Sequence, residues 1–343
     1  MRSEKRLVFV IVVVVMSAIL VMALGGCAGN EPPVVENLPT AAERSVEVNG
    51  VAIHYFDFNP DATGTPILFL HGYSGSGYES YFIQDDLAER RIVAPDLPGL
   101  GRSGKPEIEY NLSYYLNFVR GFVEALGLDE FVLIGHSLGG KIAAVYAALH
   151  GETGIPSTIE SAAFPDRLGV VRALVLLAPY GLDGEAGDIV GFLSNTGNLV
   201  NVSFNLHSQT LIDVAARLNI FHDSEKIPED LIDYIASATF YTENGVKALA
   251  SITRNAIARD PIDWLLPEIA VPTLVVWGEK DRILPFRHAE AFTALVDGSQ
   301  LVAVPDCGHM PHVEQQAVTA HAITTFVATL GFVGDGVTPP AEQ

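Results

Sequence analysis

Cysteine is nearly missing from this 343-residue chain: only Cys27 and Cys307 occur, so one disulfide is the most it could form. A small disulfide-stapled scaffold is excluded. Positive charge is also in short supply, with 20 Lys and Arg against 41 Asp and Glu and a formal net charge of −21. Affinity for nucleic acid rests on cationic side chains that neutralise phosphates, which excludes nucleic acid as a partner class. Charged residues of either sign make up 18% of the chain and apolar ones 49%. That composition excludes a disordered protein and suffices for one large α/β domain or two smaller ones. No internal repeat is present.

The N-terminus carries Arg2, Lys5 and Arg6 ahead of an apolar run from Leu7 to Leu24 that only Ser17 interrupts. A basic segment followed by an apolar one is the pattern of a secretory signal, although this run also reaches the lower length limit of a membrane-spanning helix. Leu24-Gly25-Gly26-Cys27 resembles a bacterial lipobox, in which the cysteine takes a lipid and becomes the first mature residue; Gly25 stands where Ala, Ser, Thr or Val is more usual. Residues 1–26 are thus expected to be a signal peptide or anchor, and residues 27–43, polar and rich in Pro and Glu, a tether. Lipidation of Cys27, retention as an uncleaved anchor and cleavage to a soluble secreted protein all remain open, and each places the folded part outside the cytoplasm. The expectation adopted is an exported lipoprotein held at the membrane through Cys27, on the periplasmic or extracellular face. So acidic a chain discourages contact with anionic lipid, so membrane association would rest on that anchor. With Cys27 lipidated, Cys307 is left as a free structural thiol.

From residue 44 onward, short apolar runs alternate with helical patterns. Ser45 to Val48 and Ala52 to Phe58 flank Asn49-Gly50, the strongest two-residue hairpin signal. Ile67 to Leu70, Arg91 to Ala94, Phe131 to Ile134, Ala173 to Leu177, Thr273 to Trp277 and Gln300 to Val304 read as strands buried on both faces, as in a parallel sheet. Leu116, Val119, Val123 and Leu126 keep helical spacing up to Gly127, and Ile323, Phe326, Val327 and Leu330 do so near the C-terminus. The pattern predicts a mostly parallel eight-stranded sheet with helices on both faces. Residues 180–263 break the rhythm with helical stretches at Leu211 to Leu218, Leu231 to Phe240 and Val246 to Ile257, predicting a helical cap inserted between core segments 44–179 and 264–331. Gly151 to Pro165 reads as a surface loop, and residues 332–343 as a flexible tail.

Chemistry concentrates where loops follow strands. Gly135-His136-Ser137-Leu138-Gly139 lies between a strand and a helix, in the G-x-S-x-G pattern that exposes a serine hydroxyl on a sharp turn, making Ser137 the candidate nucleophile. A serine needs a base, an acid to orient that base, and donors for the oxyanion. His71-Gly72-Tyr73-Ser74-Gly75 follows an earlier strand, so the backbone N–H of Tyr73, with that of Leu138, is the expected oxyanion hole. Asp281 in Trp277-Gly278-Glu279-Lys280-Asp281 and His309 in Gly308-His309-Met310-Pro311 follow two later strands, completing the order Ser, Asp, His. His312 is the nearest rival for the base; His136 and His71 are expected to shape their own turns.

Taken together, His71-Gly72, the stretch Ala94-Pro95-Asp96-Leu97-Pro98-Gly99-Leu100-Gly101-Arg102-Ser103, the Ser137 turn, Gly278 to Asp281 and Gly308-His309 resemble the α/β-hydrolase fold family, in its single-cap group of esterases, lipases, C–C bond hydrolases, epoxide hydrolases and dehalogenases. The resemblance implies an α/β-hydrolase fold and a serine hydrolase that cleaves a small apolar ester through an acyl-enzyme, with no metal or organic cofactor. Other serine chemistry on the same fold, C–C or amide hydrolysis or acyl transfer, stays open, as does a ligand-binding protein without turnover. Asp96 and Arg102 are expected to shape a loop. Serine at 137 disfavours the Asp-dependent epoxide hydrolases and dehalogenases, and Met310 stands where the C–C hydrolases usually carry Trp. Phe192, Leu193, Phe204, Leu206, Phe240 and Tyr241 are candidates for an apolar acyl pocket under the cap.

Overall fold

The structure is a computed structural model, and it describes residues 42–150, 169–184, 220–240 and 242–332. The expected signal, most of the tether including Cys27, the loop Gly151 to Pro165, the helix Leu211 to Leu218, the tail past residue 332 and five of the six pocket candidates lie outside them. Phe240, the sixth, is described in its backbone alone. Among the described residues, no helix is long and apolar enough to cross a membrane.

Eight strands form one sheet in the order β1-β2-β4-β3-β5-β6-β7-β8. They are β1 (Glu43–Val48), β2 (Val51–Phe58), β3 (Gly64–Leu70), β4 (Arg90–Pro95), β5 (Glu130–His136), β6 (Val170–Leu177), β7 (Thr273–Gly278) and β8 (Gln300–Val304), so every predicted strand is present. The β1–β2 and β2–β4 pairs are antiparallel; the five remaining pairs are parallel. Asn49 and Gly50, with φ of 51° and 78°, make the tight β1–β2 turn, both in the left-handed region that a primed hairpin turn requires.

Side-chain alternation splits the core into two layers. In β3, Leu68 and Leu70 join one cluster while Ile67 and Phe69 join the other, and β5 and β6 divide in the same way. The first layer is closed by α1 (Leu112–Leu126), α2 (Leu138–His150) and, further along the chain, Phe292. Asn111 caps α1 by accepting the Tyr114 N–H at 2.9 Å, and Gly127 ends it at φ 61°. Phe118, Val119, Phe122 and Val123 of α1 are buried, each large side chain stabilising the fold by roughly 2 kcal/mol. Between β6 and β7 the described chain holds α3 (Glu229–Ile235) and α4 (Glu243–Ile252), each prolonged by a π-helical turn, Ala236–Phe240 and Thr253–Ile257. Then come α5 (Arg287–Leu295), which carries Phe292, the short α6 (Pro311–Glu314) and α7 (Gln316–Thr329). The second layer is covered by Ile323, Phe326 and Val327 of α7 and by Tyr78 and Ile83 of the 3-10 helix Gly77–Ile83.

The chain runs from β3 outward to β4 and then returns to the other side of β3 for β5. Strand order therefore reverses at the β3/β5 boundary, and in open α/β sheets the crevice beyond the carboxyl ends of the strands at such a point is where ligands bind. Tyr73 follows β3 and Ser137 follows β5, one on each side of that point.

Candidate active site

Ser137 is the single residue between β5 and α2, and its φ of 50° puts a non-glycine residue in the left-handed region. The surroundings hold it there. Ser137 N–H donates to Leu177 O at 3.0 Å, and Ser137 O accepts from Tyr180 N–H at 3.0 Å and Lys141 N–H at 3.1 Å. The turn is tight enough to demand glycine on its helical side: a Cβ at Gly139 would lie 2.1 Å from Leu70 O, so the start of α2 rests against the end of β3. That contact brings the Ser137 turn beside the loop that carries Tyr73.

Tyr73 and Leu138 are placed as expected, one past β3 and the other first in α2. Among the described residues neither amide N–H finds a protein acceptor, and that of Leu138 belongs to the positive end of α2. Tyr73 is also tied to the β6–β7 insertion, its hydroxyl 2.9 Å from Thr253 Oγ1. Thr253 Oγ1 donates to Leu249 O at 2.8 Å, so the tyrosine hydroxyl is the donor of the pair.

Asp281 and His309 meet across the β7 and β8 ends, with His309 Nδ1 2.7 Å from Asp281 Oδ2. Asp281 Oδ1 accepts the N–H groups of Ile283 at 2.8 Å and Leu284 at 2.9 Å, so three donors orient the carboxylate. A carboxylate only accepts, so the hydrogen of that contact sits on His309 Nδ1 and Nε2 is left as the basic nitrogen. Both side chains are buried, as is Ser137. Ser137 and His309 are linked through His136, whose ring lies 4.9 Å from the His309 ring and whose Nε2 is 3.0 Å from the His309 carbonyl.

The rival His312 faces elsewhere: its Nε2 is 3.2 Å from Glu79, and its ring lies 4.7 Å from that of His136. Burial drives its pKa down to about 4. Asp96 serves its loop, Oδ1 taking the Gly77 N–H at 2.8 Å and Oδ2 the Arg102 N–H at 2.8 Å. Burial alone would raise its pKa, but His54 and the other donors outweigh burial and hold it well below the usual carboxylate range. Arg102 pairs with Glu43 and lies over the Tyr234 ring at 4.8 Å. Cys307 is a buried free thiol whose pKa burial pushes up, in keeping with a structural role.

Sequence reasoning missed Glu79 and Glu314. The only signal for Glu79 was Ser76-Gly77-Tyr78-Glu79, a capping box, and Ser76 and Glu79 do cap the 3-10 helix reciprocally. Glu314 had no signal, because its partners are backbone N–H groups, those of His222 and Asp223 in a remote segment and that of Gly308 six residues earlier.

A family model described as alpha/beta hydrolase fold matches residues 65–316. The chain is 27% identical over 296 residues to a 2-hydroxy-6-oxo-6-(2'-aminophenyl)hexa-2,4-dienoic acid hydrolase of Metapseudomonas resinovorans, covering 83% of this chain and 91% of that protein. It is 28% identical over 274 residues to Lipase 3 of Moraxella sp. (strain TA144), covering 78% and 79%. Among solved structures, a membrane phospholipase A matches with a TM-score of 0.68 at 24% identity, over 96% of this chain and 99% of that one.

Proposed function

Because the chain belongs to the alpha/beta hydrolase fold family, we propose that it is a serine hydrolase cleaving carboxylic esters of an apolar acyl substrate. The observation that carries this reading is the 2.7 Å contact of Asp281 with His309, on a residue whose carbonyl is reached from the neighbour of Ser137. In the proposed reaction His309 Nε2 takes the Ser137 proton as Oγ attacks the ester carbonyl. The N–H groups of Tyr73 and Leu138 hold the oxyanion, and losing one such donor typically costs on the order of 3 kcal/mol in the transition state. His309 then protonates the leaving alcohol, and water, deprotonated by His309, releases the acid from the acyl-enzyme. Asp281 keeps the Nδ1–H tautomer and stabilises the imidazolium throughout.

The residues 180–263 are proposed as a cap over the acyl pocket, supported by the Tyr73–Thr253 hydrogen bond between insertion and oxyanion loop. Export with lipid on Cys27 is proposed from the Leu24 to Cys27 sequence; retention of Cys27→Ala in the membrane fraction without labelled lipid would reject it. A second reading, carbon–carbon hydrolysis of a 2-hydroxy-6-oxo-dienoic acid, is favoured by the Metapseudomonas resinovorans relative, since that substrate class has no ester to cleave. A fluorophosphonate probe should label Ser137, and Ser137→Ala should lose both the label and p-nitrophenyl ester hydrolysis. A panel of esters and dienoic acids then decides the bond: turnover of dienoic acids with indifference to every ester selects the second reading.

A further inference from the structure

Behind the proposed base lies a cluster of ionisable groups that the ester mechanism does not use. Glu79 is 1% exposed and sits between two imidazoles, its Oε2 3.0 Å from His136 Nδ1 and 3.2 Å from His312 Nε2. Its Oε1 accepts the Ser76 N–H at 3.3 Å. The other nitrogen of His136, Nε2, lies 3.0 Å from the His309 carbonyl. His136 and His312 are buried as well.

Donor counting decides the protons. A carbonyl oxygen only accepts, so His136 Nε2 carries a hydrogen. That leaves His136 Nδ1 facing Glu79 Oε2, while His312 turns its own Nε2 to the same oxygen. His71 takes no part, since its Nε2 accepts the Leu97 N–H at 2.8 Å and its Nδ1 gives its hydrogen to Gly72 O at 2.8 Å.

We propose that His136, its ring held by Glu79 at Nδ1, is a positioning residue, gripping the His309 main chain through Nε2–H and so fixing the base relative to Ser137. The proposal rests on the reading of Ser137 and His309 as the reacting pair. His136 is covalently the residue before Ser137, so the bond to His309 O locks the nucleophile's turn to the base's loop without an intervening element. Misplacement of reacting groups by about 1 Å can cost 100-fold in rate, which gives such a lock its value. The loop carrying Tyr73 is cut back to make room for the pair: a Cβ at Gly75 would lie 2.0 Å from Glu79 Oε1, and one at Gly72 would lie 2.9 Å from His136 Nδ1.

The test has a spectroscopic and a kinetic arm. In the full chain labelled with 15N-histidine and held in detergent micelles at pH 8, the His136 signals are identified by their loss in His136→Gln. The Nε2 of His136 is expected to carry a hydrogen that is slow to exchange. A His136 ring protonated at Nδ1 alone overturns the proposal. In the kinetic arm Glu79→Gln keeps the size of the side chain and removes its charge. It is expected to lower kcat and the rate of Ser137 phosphonylation about tenfold or more, with KM near the wild-type value. A kcat equal to wild type overturns the positioning role. Failure of wild-type Ser137 to label at all would reject the hydrolase reading instead, and the spectroscopic arm would still report on His136.

Discussion

Glu314 Oε2 accepts the Gly308 N–H at 2.7 Å, closing the backbone around His309 into a loop tied at both ends. The same carboxylate takes the His222 N–H at 3.1 Å and the Asp223 N–H at 2.7 Å, so a buried side chain on α6 joins the insertion between β6 and β7 to the His309 loop. Glu314→Gln replaces one accepting oxygen by an NH2 that faces N–H donors. An orphaned buried donor costs about 1–3 kcal/mol, so the variant should unfold at lower temperature and lose activity in proportion to the loosened His309. Thermal melts and ester hydrolysis of the same sample check this; an unchanged melt would show that the loop does not depend on Glu314.

Asp281→Asn should be more damaging to rate than to stability. The Asn oxygen can keep the Ile283 and Leu284 N–H groups, which turns its NH2 toward His309 Nδ1. That forces the hydrogen onto Nε2, the wrong tautomer for a base. A loss of roughly 10³ to 10⁴ in kcat is expected by analogy with serine-protease triads. Single-turnover acylation with a chromogenic ester measures it, and retention of wild-type acylation would remove Asp281 from the mechanism.

The sheet was legible because its signals are local. All eight strands follow from short apolar runs and one Asn-Gly turn, and Asp281 and His309 follow from their place just past two such runs. Glu79 and Glu314 were not, since a backbone N–H leaves no mark in the sequence and their other partners are distant: His136 and His312 reach Glu79, and residues 222 and 223 reach Glu314, only when the chain is folded. His312 illustrates the limit from the other side. Sequence proximity made it a rival to His309, yet the turn of α6 aims it at Glu79 rather than Asp281.

Acid should destabilise the fold from an early point. Burial lowers the folded-state pKa of His312 from 6.5 to about 4 and also lowers that of His71. The unfolded chain then binds protons that the folded one refuses, so the stabilisation is complete above pH 6.5 and is lost as pH falls toward 4. Glu79 acts in the same sense at lower pH, its contribution present above its unfolded pKa of 4.5 and lost below it. Each such group can add a slope of up to about 1.4 kcal/mol per pH unit. Urea unfolding at pH 7, 5.5 and 4.5 reads the slope, and His312→Asn should flatten it. An equal slope in that variant would place the effect elsewhere.

Tyr234 on α3 donates its hydroxyl to Asp96 Oδ2 at 2.7 Å, and Gly101 N–H donates to Thr239 Oγ1 at 2.9 Å, so the insertion is latched to the loop after β4 at two points. Burial, followed by the nearby Asp96 charge, pushes the Tyr234 pKa far up, which keeps the hydroxyl a donor at every working pH. Tyr234→Phe removes the donor while leaving the ring against Phe56, Tyr78 and Arg102. Hydrogen bonds to charged groups contribute about 1.5–3 kcal/mol, so the latch should weaken by that order. Because Asp96 still holds the Gly77 and Arg102 N–H groups, the core should stay folded while α3 opens more often. Hydrogen exchange should then quicken in residues 229–240 and remain slow in β5 and α2. Uniformly faster exchange across the sheet would mean that Tyr234 supports the whole domain rather than the latch.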